Sequence, residues 1–179
     1  YPDADFDLIK RLGFTHVRIP IDMANVHDET QPDLLDPTCV GCLDRGIERI
    51  LSHKLAIIID LHSISQRDGG SNYSGPLGTD PRFTDTFCHF WESLARHLSR
   101  FDPDWVVLEP MNEPVLRGTE AEWHPLQKEV VAAIRRGAPR HSILATGARW
   151  SNLDTLLDLE PLADPNVIYN FHFYEPHIF

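Results

Sequence analysis

The chain has 179 residues, of which 42% are hydrophobic and 24% charged, with a net charge of −11. That apolar content is enough for one sizeable core, and no low-complexity tract or charge block points to disorder. The acidic balance argues against a nucleic-acid binder or a polybasic membrane-surface protein, and apolar runs such as residues 55–59 are far too short to span a bilayer.

Helices and strands alternate along the chain. Asp5 to Leu12 has helical spacing and stops at Gly13, a natural residue to follow a helix end. Thr15 to Pro20 reads as a short strand, Cys42 to Lys54 as a helix, and Leu55 to Leu61 as a strand. His62 to Asp80 is a polar, Gly- and Ser-rich loop. Pro81 then occupies a first helical position, and Phe83, Phe87, Phe90, Trp91, Leu94 and Leu98 recur at helical spacing as far as Arg100. Asp104 to Pro110 is a strand. Thr119 to Arg136 is a helix, with Thr119 and Glu122 placed as a capping box. Ser142 to Thr146 is a strand, Asn152 to Leu159 a short helix, and Asn166 to Phe173 the last strand.

The cysteines, Cys39, Cys42 and Cys88, are too few and too odd in number for a disulfide framework. Cys39 and Cys42 form a CxxC with no second pair and no redox context. They read as small side chains at a helix start, with a local disulfide as the alternative. Tyr1 is not an initiator Met, so the chain reads as starting mid-sequence, and the lack of a signal peptide within it says nothing about secretion.

Alternating strands and helices imply parallel strands with right-handed crossovers. Two arrangements compete: an open doubly wound sheet and a (β/α)8 barrel. Neither the GxGxxG of a Rossmann unit nor a P-loop is present. Strand parity favours the barrel. Val17 and Ile19 oppose His16 and Arg18; Ile57, Ile59 and Leu61 oppose Asp60 and His62; Glu109, Met111 and Glu113 share one parity; Asn170, His172 and Tyr174 oppose Phe171 and Phe173. Polar groups thus gather on one face at the C-terminal ends of four strands. Helices on both faces of an open sheet would bury them at high cost, whereas a barrel directs them into its mouth. The expected fold is α/β, a partial TIM barrel of five parallel strands alternating with helices in a single truncated domain over residues 1–179. A full barrel takes about 250 residues, so the chain is expected to be a fragment.

The sharpest local signal is Met111-Asn112-Glu113-Pro114. Pro114 is expected to end the strand and hold Glu113 at the rim. A carboxyl group shielded from water acquires a raised pKa and serves as a general acid near neutral pH. Asn112 both donates and accepts, which suits a sugar hydroxyl. Taken singly, Arg18 reads as a buried ion-pair partner for Glu109, His62 as a satisfied core histidine and Tyr174 as ordinary packing.

Together, Gly13-Phe14-Thr15-His16-Val17-Arg18-Ile19-Pro20, Ile59-Asp60-Leu61-His62, Leu108-Glu109-Pro110-Met111-Asn112-Glu113-Pro114 and His172-Phe173-Tyr174 resemble glycoside hydrolase family 5, the cellulase-like retaining (β/α)8 glycosidases, over strands two to six. The resemblance implies that Glu113 is the general acid/base and that Asn112 binds the sugar 2-hydroxyl. It also implies that Arg18 and Tyr174 hold the nucleophilic carboxylate, and that His62 and His172 line the subsite beside the scissile bond. It implies no metal or other cofactor, a β-linked polysaccharide or oligosaccharide as substrate, and a secreted or periplasmic location. The family's nucleophile, a Glu on strand seven, and its aromatic platform on strand eight are expected beyond Phe179, so the chain alone is expected to be inactive. Glu175 lies on the opposite parity from His172 and Tyr174, at a loop position, and is a poor substitute. Pro110 inside the strand suggests a distorted ladder.

Of the four tryptophans, Trp91 reads as core, Trp105 opens a strand, Trp123 is a further stacking candidate, and Trp150, in the loop after the strand 142–146, is the candidate sugar platform. Asn72 and Tyr73 in the long loop after His62 are further ligand candidates. Two rival readings remain. One is a metal hydrolase using His16, His62, His172 and His177, which the lack of a His-x-His pair disfavours. The other is a non-catalytic structural or carbohydrate-binding barrel fragment.

Overall fold

Neighbours in the sheet are also neighbours in sequence. The structure, a computed structural model, describes residues 2–64, 74, 76–116 and 122–176. Its elements run α1 (Asp3–Arg11), β1 (His16–Asp22), α2 (Met23–Val26), α3 (Pro37–Ser52), β2 (Ala56–Ser63), α4 (Pro81–Leu98), β3 (Val106–Glu109), α5 (Trp123–Gly137), β4 (Ser142–Thr146), α6 (Ala148–Ser151), α7 (Leu153–Leu157) and β5 (Val167–Asn170). The sheet order is β1-β2-β3-β4-β5, parallel throughout. A doubly wound sheet reverses its order at a switch point; this one never does, so the barrel-type arrangement stands.

Helix boundaries follow local chemistry. α3 starts at Pro37, five residues before the expected Cys42, because the Asp36 carboxylate accepts a hydrogen bond from the Cys39 amide at 2.7 Å and Pro37 needs no amide partner in the first turn. Cys39 and Cys42 therefore lie inside the helix, and both are free thiols rather than a local disulfide. Asp80 caps α4 in the same way, accepting from the Arg82 amide ahead of Pro81. Thr119 lies outside the described residues, and Glu122 at the start of α5 makes no side-chain capping bond.

The strand ends depart from the sequence-based expectation in an instructive way. β3 stops at Glu109 because Pro110 has no amide hydrogen for a ladder; Pro110, not Pro114, ends the strand. β5 stops at Asn170 rather than Phe173. Parity arguments fail beyond both points. Met111, expected on the face of Glu109, joins the hydrophobic core instead.

Within the ladders parity holds. Ile57, Ile59, Leu61, Val106, Leu108, Ile143 and Ala145 are fully buried in the main core with the α4 stripe of Phe87, Phe90, Trp91, Leu94 and Leu98. Arg18, Asp60 and Glu109 take the other face, Asp60 directly opposite Glu109 in the β2–β3 register. α4 and α5 approach closely at Gly137, where an added Cβ would lie 2.6 Å from the Arg96 amide nitrogen. Among the described residues, no helix is long and apolar enough to cross a membrane.

Candidate active site

The C-terminal ends of the strands carry a connected polar network with Arg18 at its centre. From β1 its guanidinium donates to Glu109 through Nε (2.7 Å to Oε2) and Nη2 (2.8 Å to Oε1). Nη2 also donates to Asn112 Oδ1 at 2.8 Å, and Nη1 lies 3.0 Å from Asp60 Oδ2. Arg has no acceptor, so the amide atom of Asn112 facing it is the oxygen. The ion pair with Glu109, read from the sequence as the plain explanation for Arg18, is present.

Asp60 and Glu109 are fully buried. Burial pushes the Asp60 carboxyl up to about 6, and the neighbouring Glu109 charge adds to this, while His62 and Arg18 pull the other way. Asp60 Oδ1 is buried without a hydrogen-bond partner among the described residues. For Arg18 burial opposes the charge, but hydrogen bonding to Glu109 and the attraction of Glu109 and Asp60 outweigh it, and its pKa is raised. His62 Nδ1 lies 2.8 Å from Asp60 Oδ2. The His62 ring is half exposed, so it is not the satisfied core histidine that a lone His suggests.

Asn112 and Glu113 lie past the Pro110 break, yet they are held. The Asn112 amide donates to Leu61 O at 3.0 Å, which ties the segment back to β2, and Trp91 Nε1 donates to Pro110 O at 3.1 Å from below. Glu113 Oε1 sits 2.7 Å from His172 Nδ1, with both side chains about four-fifths buried. Glu113, Trp150, Asn152, Asp154, His172 and Tyr174 are among the residues lining a cavity of about 820 Å³. A second hollow of about 530 Å³ is lined by Arg18, Asn170, His172, Phe173 and Tyr174, among others, so His172 and Tyr174 border both.

The hollows are open at Tyr174, a residue 66% exposed, and His62 is not among the residues lining either of them. Phe173, expected on the opposite face from Tyr174, lines both hollows with it, because the ladder that would enforce alternation has already ended.

Trp150 is half exposed and lines the Glu113 cavity. The other tryptophans are elsewhere. Trp91 is core, as expected. Trp123 is fully buried, donating from Nε1 to Thr146 O at 2.9 Å, and is unavailable for stacking. Trp105 faces a separate hollow near Phe14, Thr15 and Lys54, at the N-terminal ends of the strands. Glu175 is exposed and lines the Glu113 cavity. Asn72, Tyr73 and His177 lie outside the described residues. Among the described residues, no group of three or more His, Cys, Asp or Glu side chains is arranged to hold a metal ion.

Sequence reasoning gave no site role to Asp60, Glu109 or Ser151. The first two share the face of Arg18 and were legible from that alone. Ser151 carried no signal: it is buried in the turn after β4, where its Oγ donates to Asn112 O at 2.6 Å and its carbonyl accepts from the His172 amide at 2.9 Å.

The family model for cellulase (glycosyl hydrolase family 5) matches residues 2–179. Among similar proteins, endoglucanase C of Acetivibrio thermocellus is 26% identical over 177 residues, covering 99% of this chain and 51% of its own length. Cellodextrinase A of Ruminococcus flavefaciens is 30% identical over 174 residues, covering 96% of this chain and 51% of its own. Among solved structures, Cel5A of Thermotoga maritima in complex with cellobiose superposes with a TM-score of 0.81 at 28% identity, over 99% of this chain and 55% of that one. The chain spans about half the length of these relatives.

Proposed function

This chain belongs to glycosyl hydrolase family 5, the cellulase family, and from that premise we propose that it carries the acid/base half of a retaining endo-β-1,4-glucanase site, with Glu113 as general acid/base. The observation that carries the reading is the Glu113 carboxyl, mostly shielded from water, 2.7 Å from His172 Nδ1 at the edge of a cavity that Trp150 also lines.

In a double displacement the acid first protonates the departing glycosidic oxygen and then, as a carboxylate, takes a proton from the attacking water. The His172 contact suits both phases. With its hydrogen on Nδ1, His172 donates to Glu113 Oε1 in both states, while the other oxygen, Oε2, carries the proton given to the leaving group and later takes one from water. Because Asn112 Oδ1 is committed to Arg18, its Nδ2 is left as a donor toward a sugar 2-hydroxyl. Half-exposed Trp150 offers an aromatic face on which a sugar ring stacks.

Retention requires a second carboxylate about 5–5.5 Å from the first. In this reading it comes from a residue beyond Phe179, and Arg18 and Tyr174 steady it. Among the described residues Arg18 engages Nε, both hydrogens of Nη2 and one side of Nη1, which leaves one Nη1 N–H for that carboxylate. His62 stands at the same strand ends, its Nδ1 2.8 Å from Asp60 Oδ2 beside Arg18. No step in this scheme calls for a cofactor. The substrate is a β-linked glucan or its oligosaccharides, and a polymeric substrate places the reaction outside the cytoplasm, in a secreted or periplasmic setting.

The chain alone is expected to leave carboxymethylcellulose and aryl β-cellobioside intact. Extended through strands seven and eight of a family 5 barrel, it is expected to hydrolyse the aryl cellobioside with retention of anomeric configuration, and Glu113→Gln to lower kcat by about 10²–10⁴. Turnover by the extended form that ignores Glu113→Gln would assign the acid/base elsewhere.

A further inference from the structure

We propose that Ser151 is a positioning residue for Glu113: through one hydroxyl and one carbonyl it holds together the segment that carries the carboxyl group and the segment that carries its histidine partner. The proposal rests on the reading of Glu113 as acid/base for its catalytic meaning, but the geometry stands independently of it.

Three observations carry it. First, Ser151 is fully buried, its Oγ donates to Asn112 O, and its own carbonyl accepts from the His172 amide. Asn112 directly precedes Glu113, and His172 Nδ1 meets Glu113 Oε1. A single residue thus bonds to both arms of the Glu113–His172 contact. This matters because neither arm lies within a strand: β3 has stopped at Glu109 and β5 at Asn170, and on the Glu113 side the Asn112 amide still reaches Leu61 O of β2.

Second, the backbone there is strained. Arg149, Trp150 and Ser151 are three consecutive non-glycine residues in the left-handed region, with φ of 51°, 57° and 57°. L-residues visit that region singly and at a cost, so a run of three persists only where the surroundings impose it.

Third, the surroundings do impose it. Thr155 Oγ1 donates to Ala148 O, and the Asn152 side chain caps α7 by accepting from the Asp154 amide. Gly147 enters the turn where a Cβ would sit 2.6 Å from both the Leu156 amide nitrogen and Thr155 Oγ1. The turn between β4 and α7 is a clamp, and it presents Trp150 to the same cavity as Glu113. Its chemical effect is to hold the acid/base carboxyl and the sugar-facing indole at one spacing.

The test needs no substrate. Ser151→Ala removes the hydroxyl and keeps the strain; Ser151→Gly removes the hydroxyl and relieves the strain, which keeps the experiment interpretable if the alanine form does not fold. The readouts are the ¹⁵N resonance of His172 Nδ1, with Glu113→Gln as the reference for a broken carboxylate contact, and amide exchange at His172. Both variants are expected to move the Nδ1 resonance most of the way to the reference and to speed His172 exchange about tenfold or more, with the circular dichroism spectrum unchanged. Wild-type values of both in a folded Ser151→Gly form would overturn the proposal, since the hydroxyl would then hold nothing. If these readouts move but the extended barrel ignores Glu113→Gln, the coupling stands and only the glycosidase reading fails.

Discussion

Arg18 and Glu109, 91 residues apart in sequence, form a two-pronged ion pair, Nε to Oε2 at 2.7 Å and Nη2 to Oε1 at 2.8 Å. The pair joins β1 to β3 across the intervening β2, whose Asp60 is the guanidinium's third anionic contact. Two fully buried carboxylates therefore depend on one cation. Removing it takes from Glu109 its cationic partner among the described residues and leaves Asp60 with the titratable His62 alone, and in the interior an unpaired charge is costly. Arg18→Ala is expected to destabilise the fold by about 3 kcal/mol, below the upper range for such losses because the Arg18 side chain is itself about one-third exposed. Arg18→Lys keeps the charge but loses the planar fork, for about 1–2 kcal/mol. Urea unfolding measures both, and equal losses for Lys and Ala would show that charge contributes nothing there.

Asp60 makes stability depend on pH in a direction unusual for a carboxylate. Its folded value is about 6, against about 3.9 for an aspartate in an unfolded chain. The folded chain therefore holds the extra proton between these values. The contribution is fully present below about pH 4 and is lost as pH rises through about 6, with a total of roughly 2–3 kcal/mol. In Asp60→Asn this dependence disappears, so the variant is expected to lose less stability than the parent between pH 4.5 and 7.5. Parallel stability curves for the two proteins would show that Asp60 ionises normally.

Two glycines in helices are expected to respond oppositely to alanine. At Gly137 an added Cβ meets the backbone of α4, 2.6 Å from the Arg96 amide nitrogen, so the helix pair must separate. Gly137→Ala is expected to cost about 1–3 kcal/mol. At Gly46, inside α3, nothing lies within 4 Å of the added atom, and Gly46→Ala is expected to stabilise by about 0.5–1 kcal/mol through helix propensity and a less free unfolded chain. Thermal unfolding of the two variants checks this, and a stabilised Gly137→Ala would contradict the close approach of α4 and α5.

Much of this protein was legible before any coordinates. A two-residue period places Ile57, Ile59 and Leu61 against the helices and Asp60 on the opposite face, and a helical period marks the buried stripe of α4, because burial acts residue by residue on local geometry that the chain itself sets. The motif from Leu108 to Pro114, with its partners near Arg18, Asp60 and His172, was enough to point to the family. What required the fold was everything past the ends of the strands. Once Pro110 and Asn170 stop the ladders, alternation no longer predicts which way a side chain faces, and Met111 and Phe173 depart from it. There the arrangement is decided by bonds between distant segments: Arg18 to Asn112 across 94 residues, Ser151 to Asn112 across 39, Glu113 to His172 across 59. Such contacts leave no periodic trace in the chain, because their energy depends on three strands and a strained turn arriving at one place together.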